Sequence, residues 1–330
     1  MIKIFNYIFL FSFVISQSQV GTSAANFLGI GVGSRAVSMG GAYTSNCDDP
    51  SIIYWNPGAI AKFDGDRFQI SNVSWLVDTE LLFSTYIKKI NDRSMGVYWT
   101  YLNYGEEEIT DLDNQDGTKL YWSASDLVIG LIYSMNLTER FAFGGGLKYI
   151  SQNIYNESSS ALAIDMGLLY TSKNNKYNIG MSISNVGFDM KLDGKDLYQP
   201  IDLDPNSEGN NETIIANLNT DSFPLPLIYR MGFSLEESLT KNVKLLSSFD
   251  FVIPSDDVET LNLGFELSYY DRVFFRSGYS DLGNKDSIKG LTLGIGTKLY
   301  LLGMDFDLNY AYQNFEAFGF VPHVDFIFNL

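Results

Sequence analysis

Between Gly29 and Tyr43 the chain reads GIGVGSRAVSMGGAY, in which Gly31, Gly33 and Ala36 have the spacing of the tight loop that cradles a dinucleotide pyrophosphate. That chemistry needs a strand before the glycines and a helix after them, because the helix N-terminus supplies the amides that hold the phosphates. Upstream stands MIKIFNYIFLFSFVISQS, residues 1–18, with Lys3, an apolar run from Ile4 to Ile15, and small residues at Ser16 and Ser18. This is the pattern of a secretory signal peptide, and its apolar run is shorter than the ~20 residues of a spanning helix. No strand precedes the glycines and no helix is expected to open behind them, so no nucleotide is expected.

Other candidate chemistry is sparse. His323 is the sole histidine and shares a face with Asp325, but no serine can be tied to it; general acid–base work needs a positioned partner. Cys47 is the sole cysteine, which excludes an intrachain disulfide and a thiolate metal cluster. The run Glu106, Glu107, Glu108, Asp111, Asp113, Asp116 lacks the alternate-ligand spacing of a calcium loop and reads as a solvated extracellular loop. The sequence therefore assigns no catalytic, cofactor or metal site. Asn-x-Ser/Thr sequons such as Asn211 to Thr213 carry no meaning in a bacterial host.

The elements that would have to position any site are strands. The chain has 330 residues, a formal net charge of −17, and 15% aromatic residues with 21 Tyr and 24 Phe, a composition suited to sheet and, being acidic, unsuited to nucleic acid. Period two dominates from Asp66 onward. In GMDFDLNYAYQ, Met304, Phe306, Leu308, Tyr310 and Tyr312 alternate with Asp305, Asp307, Asn309, Ala311 and Gln313. TLNLGFELSYY and RFAFGGGLKY repeat the pattern, each a half-buried strand.

About fourteen such segments occur, each near the ~10 residues a tilted strand needs to cross a bilayer. Their expected spans are 67–77, 81–90, 94–104, 121–136, 140–151, 160–172, 176–187, 224–236, 242–253, 259–270, 272–281, 288–301, 303–314 and 320–330. Connections after even strands are short, with Asp271 and Leu302 as tight turns. Several after odd strands are long or acidic, notably 105–120 and 188–223. That asymmetry predicts an all-β fold: a closed antiparallel transmembrane barrel in the bacterial outer membrane, not a soluble sandwich. The last strand, FVPHVDFIFNL, stays apolar and aromatic to the final residue. The expected organisation is a signal peptide at 1–18, an N-terminal plug at 19–65 inside the barrel, and the barrel itself at 66–330.

The segment ahead of the first strand carries Arg35-Ala36, Met39-Gly40-Gly41-Ala42-Tyr43, Asp48-Asp49 and Tyr54-Trp55-Asn56-Pro57, in that order over about 30 residues. This resembles the N-terminal segment of the PorV/PorQ family and, more distantly, the hatch of FadL-type hydrophobic-compound channels. Two positions depart from the pattern: Gly58-Ala59 holds its small residues in reverse order, and Cys47 replaces a small residue. The resemblance implies a plug in which Arg35, Gly40, Gly41, Trp55, Asn56, Pro57 and Gly58 shape the fold or lie beside a ligand. Glycines there permit close approach to the wall and sharp turns, Arg35 finds acceptors on an acidic lumen, and Asn56-Pro57 ends the segment in a turn.

The PorV/PorQ resemblance implies a non-enzymatic component of protein secretion of the type IX kind, with secreted cargo proteins or other secretion subunits as partners beside the outer-membrane lipid. The FadL resemblance implies the alternative, a channel admitting long-chain fatty acids or other hydrophobic small molecules. Parity places Lys148, Asp165, Arg230, Lys298, Asp305 and Asp307 in the lumen, together with Lys244, Asp250 and Glu266, and such a charged interior favours the first reading. With a tight turn at Leu302, Lys298 is expected opposite or diagonal to Asp305 or Asp307. Trp75, Trp99, Tyr101, Tyr149 and Tyr170 are expected toward the rims.

Overall fold

The computed structural model describes residues 21–202, 214–301 and 303–330. The proposed signal peptide, the Asn211 to Thr213 sequon and the turn at Leu302 lie outside the described residues. The barrel strands are β1 (Arg67–Ser74), β2 (Glu80–Ile90), β3 (Arg93–Glu108), β4 (Tyr121–Asn136), β5 (Phe141–Ile154), β6 (Glu157–Thr171) and β7 (Tyr177–Gly187). They continue with β8 (Ile228–Thr240), β9 (Val243–Pro254), β10 (Thr260–Tyr269), β11 (Val273–Leu282), β12 (Leu291–Leu301), β13 (Met304–Asn314) and β14 (Phe320–Asn329).

Each strand pairs antiparallel with the next, and β1 pairs with β14 from Arg67↔Asn329 to Val73↔His323, so the sheet closes on itself. Of its 15 strands one is the two-residue piece Asp193–Gly194, which leaves fourteen in the ring. Closure is what a bilayer demands, because hydrocarbon offers nothing to an unpaired edge. Among the described residues no helix is long and apolar enough to cross a membrane.

Alternation is visible residue by residue in β3, where Met95, Val97, Trp99 and Tyr101 face outward and Ser94, Gly96, Tyr98, Thr100 and Leu102 are buried within. A run of rings, Phe141, Tyr170, Tyr177 and Phe233, crosses the outer face of β5 to β8 near the short-turn end, with neighbouring centroids 4.8, 6.2 and 6.1 Å apart. A girdle of aromatic rings at that height suits the membrane interface. Trp75 lies in the turn after β1, at the strand end, but turns inward: it is partly buried, edge-on to Phe315 at 5.1 Å, and lines an inner cavity.

Three connections also differ from the sequence reading. Glu106, Glu107 and Glu108 belong to β3 and pair with Ser123, Trp122 and Tyr121, so the acidic loop shrinks to 109–120. Strands β5 and β6 run on to a tight turn at Tyr155 and Asn156 on the side where long loops were expected. Polar residues at both ends continue the ladder past the apolar belt, a register that hydropathy alone does not mark. The long connection after β7 contains paired pieces of its own, Tyr198–Ile201 with Ile214–Asn217 and Met190–Lys191 with Ser222–Phe223.

The N-terminal segment packs against the inner faces of the strands. It holds a 3₁₀ turn at Asn26–Gly29, α1 (Ser34–Ser38), α2 (Ile52–Trp55) and a second 3₁₀ turn at Pro57–Lys62. The expected stop at Asn56-Pro57 is thus a helix start, because proline suits a first helical position. Tyr43, Ile52, Ile53 and Ile60 are fully buried with wall residues Phe83, Ile87, Tyr98 and Leu102, forming one core between segment and wall.

Candidate functional site

The candidate site is the interface between this segment and the barrel wall. It begins at the glycine pattern of residues 31–36. A helix does open behind Gly33, contrary to expectation, and the amide of Ser34 at its start donates to the carboxylate of Asp325 in β14. The loop therefore holds an anion after all, and the anion is a wall residue 291 positions away in the chain.

Two further wall acids hold the segment in the same manner. Asp250 in β9 accepts the amides of Tyr43 at 3.0 Å and Thr44 at 2.8 Å. Glu266 in β10 takes Arg35 in a fork, with Nε at 2.8 Å and Nη2 at 2.6 Å, and it also pairs with Arg276 of β11 at 2.5 Å. Asp48 adds a longer contact to Arg35 at 3.3 Å. A bidentate guanidinium fixes direction as well as charge. Burial works against the Arg35 charge, but Glu266, Tyr43 and Asp48 outweigh it and hold the group above its ordinary value.

Asn56 joins segment to wall on the other side of the lumen. Its amide donates to the carbonyls of Thr44 at 2.8 Å and Leu168 at 3.0 Å, and its oxygen accepts the Gly58 amide at 3.0 Å. Trp55 is buried, its Nε1 donating to Val32 O at 3.0 Å, and Gly31 and Gly41 lie against its ring. Gly40 has φ +66°, and a Cβ there would stand 2.7 Å from Tyr279 N and 2.8 Å from Leu263 O. A Cβ on Gly58 would meet Gly167 O at 2.5 Å, so no side chain fits at either point. Pro57 lies over Gly144, where an added Cβ would stand 2.5 Å from Pro57 O.

The wall answers with glycines of its own at inward parity: Gly144, Gly167, Gly180, Gly232, Gly264 and Gly278 all lie against segment atoms. The sequence reading passed over them, as it passed over Asp325 as an anchor. The signal was present as glycine recurring on the inward side of strands whose outward side is aromatic, where a strand interior normally disfavours glycine.

Of the charges assigned to the lumen, Lys148, Asp165, Arg230 and Asp307 are buried inside. Lys148 Nζ lies 2.7 Å from Asp165 Oδ1, beside Asn185, whose backbone N–H donates to the same carboxylate at 2.8 Å. Arg230 spreads over Tyr54 and Trp55 at 5.5 and 5.4 Å. Lys298 and Asp305 are exposed and line, with Asp307, the cavity at the short-turn mouth. Lys298 stands directly opposite Asp307 across β12 and β13. His323 is buried with neither ring nitrogen hydrogen-bonded. Burial, reinforced by Asp48, pushes the Cys47 thiol up to about 12. Among the described residues no group of three or more His, Cys, Asp or Glu is placed to hold a metal ion.

Two cavities share no lining residue. One of about 510 Å³ opens among Gly31, Trp55, Trp75, Arg230, Asp256 and Asp281; the other, about 640 Å³, lies at the opposite mouth among Arg67, Lys298, Asp305 and Asp307. A third recess of about 430 Å³ lies on the outer wall among Met166, Met181, Met231 and Phe251, and Arg230 lines both it and the first cavity.

A closed fourteen-strand barrel with an apolar outer belt is an outer-membrane β-barrel of the bacterial type. Residues 14–219 match the family described as type IX secretion system protein PorV, and the chain belongs to that family. In fold it is similar to the toluene transporter TbuX of Ralstonia pickettii, at 10% identity and TM-score 0.54, over 90% of this chain and 97% of that one. The Pseudomonas putida toluene transporter TodX is similar at 11% identity and TM-score 0.53, over 90% and 96%. No curated protein sequence matches the chain.

Proposed function

We propose that this protein is a non-enzymatic docking component of a type IX-like secretion apparatus, binding secreted cargo or partner subunits at its extracellular end. In this reading the N-terminal segment is a permanent plug. The observation that carries it is the set of wall anchors, Asp325 on Ser34, Asp250 on Tyr43 and Thr44, Glu266 on Arg35 and Leu168 on Asn56. Buried charged contacts spread round the wall suit a plug that stays in place. Partner choice then falls to the loops, where a rigid barrel presents the hairpin beyond Glu106 with Tyr121 and Trp122 exposed.

A second reading, a route for small hydrophobic compounds, is favoured by the apolar outer recess and by Arg230 lining both that recess and the inner cavity. Against it stand the buried Lys148–Asp165 pair and the polar wall. One pair of assays separates them: partner copurification and uptake of a labelled fatty acid or aromatic hydrocarbon, run on the same variants. Replacing residues 109–120 or 198–217 by short turns is expected to leave a folded barrel and abolish partner copurification. Loop variants that keep every partner, with Asn56→Ala changing uptake, would overturn the secretion reading in favour of the channel.

A further inference from the structure

We propose that the outer face of strands β5 to β9 binds one acidic phospholipid of the periplasmic leaflet, with an acyl chain seated among Met166, Met181 and Met231 and the phosphate on Lys173 and Lys176. This rests on the membrane-spanning barrel and on neither reading of its function. The recess of about 430 Å³ lies where one row of outward side chains crosses the strands, Phe143↔Leu168, Leu168↔Met181, Met181↔Met231 and Met231↔Phe251. Rings stand at both ends of that row. Between them are Leu168 and two unbranched methionines, side chains that adapt to an irregular apolar neighbour. The next row toward the short turns is largely aromatic, with Phe141, Tyr170, Phe233 and Phe249 around Ile179.

A bulge shapes the hollow. Between Ile164 and Met166 the ladder of β6 and β7 shifts register, so that Ser184 and Asn185 face the single residue Asp165, and Asn185 has φ +68°. Such a bulge bends its strand and turns the wall. Under the recess itself the ladders are continuous, from Met166↔Ile183 to Thr171↔Asn178 and from Ile228↔Ser184 to Leu235↔Tyr177. The recess is thus a depression in a closed wall.

A headgroup site stands above it. The turn joining β6 to β7, residues 172–176, carries Lys173 and Lys176, both exposed and neither in an ion pair among the described residues. Arg140, exposed and equally free of an ion pair, ends the neighbouring turn beside Phe141. Glu139 shares that turn, and Glu236 and Glu237 stand on β8 with Lys241 beyond them, which leaves this rim positive in a chain of net charge −17. Short turns of outer-membrane barrels face the periplasm. At ~3.3 Å per residue Met181 stands roughly 16 Å along β7 from Lys176, or about 12 Å of depth at the usual strand tilt. One acyl chain spans that depth, which lies in the periplasmic half of an apolar band ~25 Å tall.

The belt around the recess meets hydrocarbon or another protein. A second barrel packed on this face would bridge the hollow and leave the methionines uncovered. An acyl chain enters it, and basic side chains at the leaflet surface attract acidic headgroups.

Purified full-length protein in detergent is titrated with dioleoyl phosphatidylglycerol or dioleoyl phosphatidylcholine, and retained lipid is counted by native mass spectrometry. Expected is one phosphatidylglycerol per chain, bound roughly tenfold more tightly than phosphatidylcholine. Lys173→Gln combined with Lys176→Gln should erase that preference while phosphatidylcholine binding stays as it was. Met181→Trp, which fills the hollow, should lose both lipids, and Leu131→Trp on the exposed outer face of β4 should lose neither. Mobility on an unheated gel shows whether each variant is folded, and the lysine pair decides the matter if Met181→Trp fails to fold. No retained lipid, equal retention of the two lipids by the wild type, a preference that survives loss of both lysines, full retention by folded Met181→Trp, or a dimer that added lipid does not disperse would each overturn the proposal.

Discussion

The side-chain amide of Asn56 lies 3.0 Å from the carbonyl oxygen of Leu168, joining the N-terminal segment to strand β6 through a residue whose every polar atom is engaged. A buried group so placed is worth more by what its loss would strand than by the bonds themselves.

Asn56→Ala strands the carbonyls of Thr44 and Leu168 and the amide of Gly58. At ~1–3 kcal/mol for each buried group left unpaired, the segment should loosen while the strand ladder stays intact. Hydrogen exchange is the measurement: amides at 44–58 should lose protection and those of β3 to β6 should keep it. Protection unchanged throughout would show that water replaces the side chain at no cost.

Gly40→Ala places a Cβ where φ is +66° and where Tyr279 N stands 2.7 Å away. The left-handed backbone alone costs ~1–2 kcal/mol, and overpacking adds ~1–3 kcal/mol. The residues around α1 should become open to added protease in a barrel that still runs as folded on an unheated gel. Resistance equal to wild type would refute the close approach.

Breaking the buried pair at Glu266 should cost more. Glu266→Gln leaves the guanidiniums of Arg35 and Arg276 facing a neutral amide, and loss of one partner of a buried pair typically costs ~3–5 kcal/mol. Denaturant unfolding in detergent should show it, and Arg35→Lys with Glu266 in place should also destabilise, because a lysine cannot fork onto the carboxylate.

Cys47 supplies a pH dependence. Cys47 is half-buried, and this burial, helped by Asp48, raises its thiol from an ordinary value near 9.0 to about 12, so the folded chain binds this proton more tightly than the unfolded chain. Its contribution is fully present below the unfolded value and is lost as pH rises toward 12, because the unfolded chain gives up the proton first. Iodoacetamide at pH 8 should label the native protein far more slowly than the urea-unfolded protein, with the native rate still climbing at pH 11. Equal rates at pH 8 would place the thiol in water.

Strand positions were legible because each obeys a local rule. Alternation in MDFDLNYAYQ fixes which side chains of β13 face lipid whatever the partner strand, and tight turns fix the Lys298 and Asp307 pairing to within a residue. Where polar residues carried the ladder beyond the apolar belt, at Glu106–Glu108 and toward Tyr155, the same rule fell silent, since neither face was marked as buried. The N-terminal segment was readable as a motif but not as a geometry. Gly33 opens a helix because Asp325, at the far end of the chain, brings a carboxylate to the Ser34 amide, and Gly40 is a glycine because Tyr279 and Leu263 bring their backbones against it. Period and turn chemistry act between neighbours, so the sequence alone determined the barrel; closure of the ring chose which distant acids and glycines meet the segment inside it, and that only the tertiary structure decided.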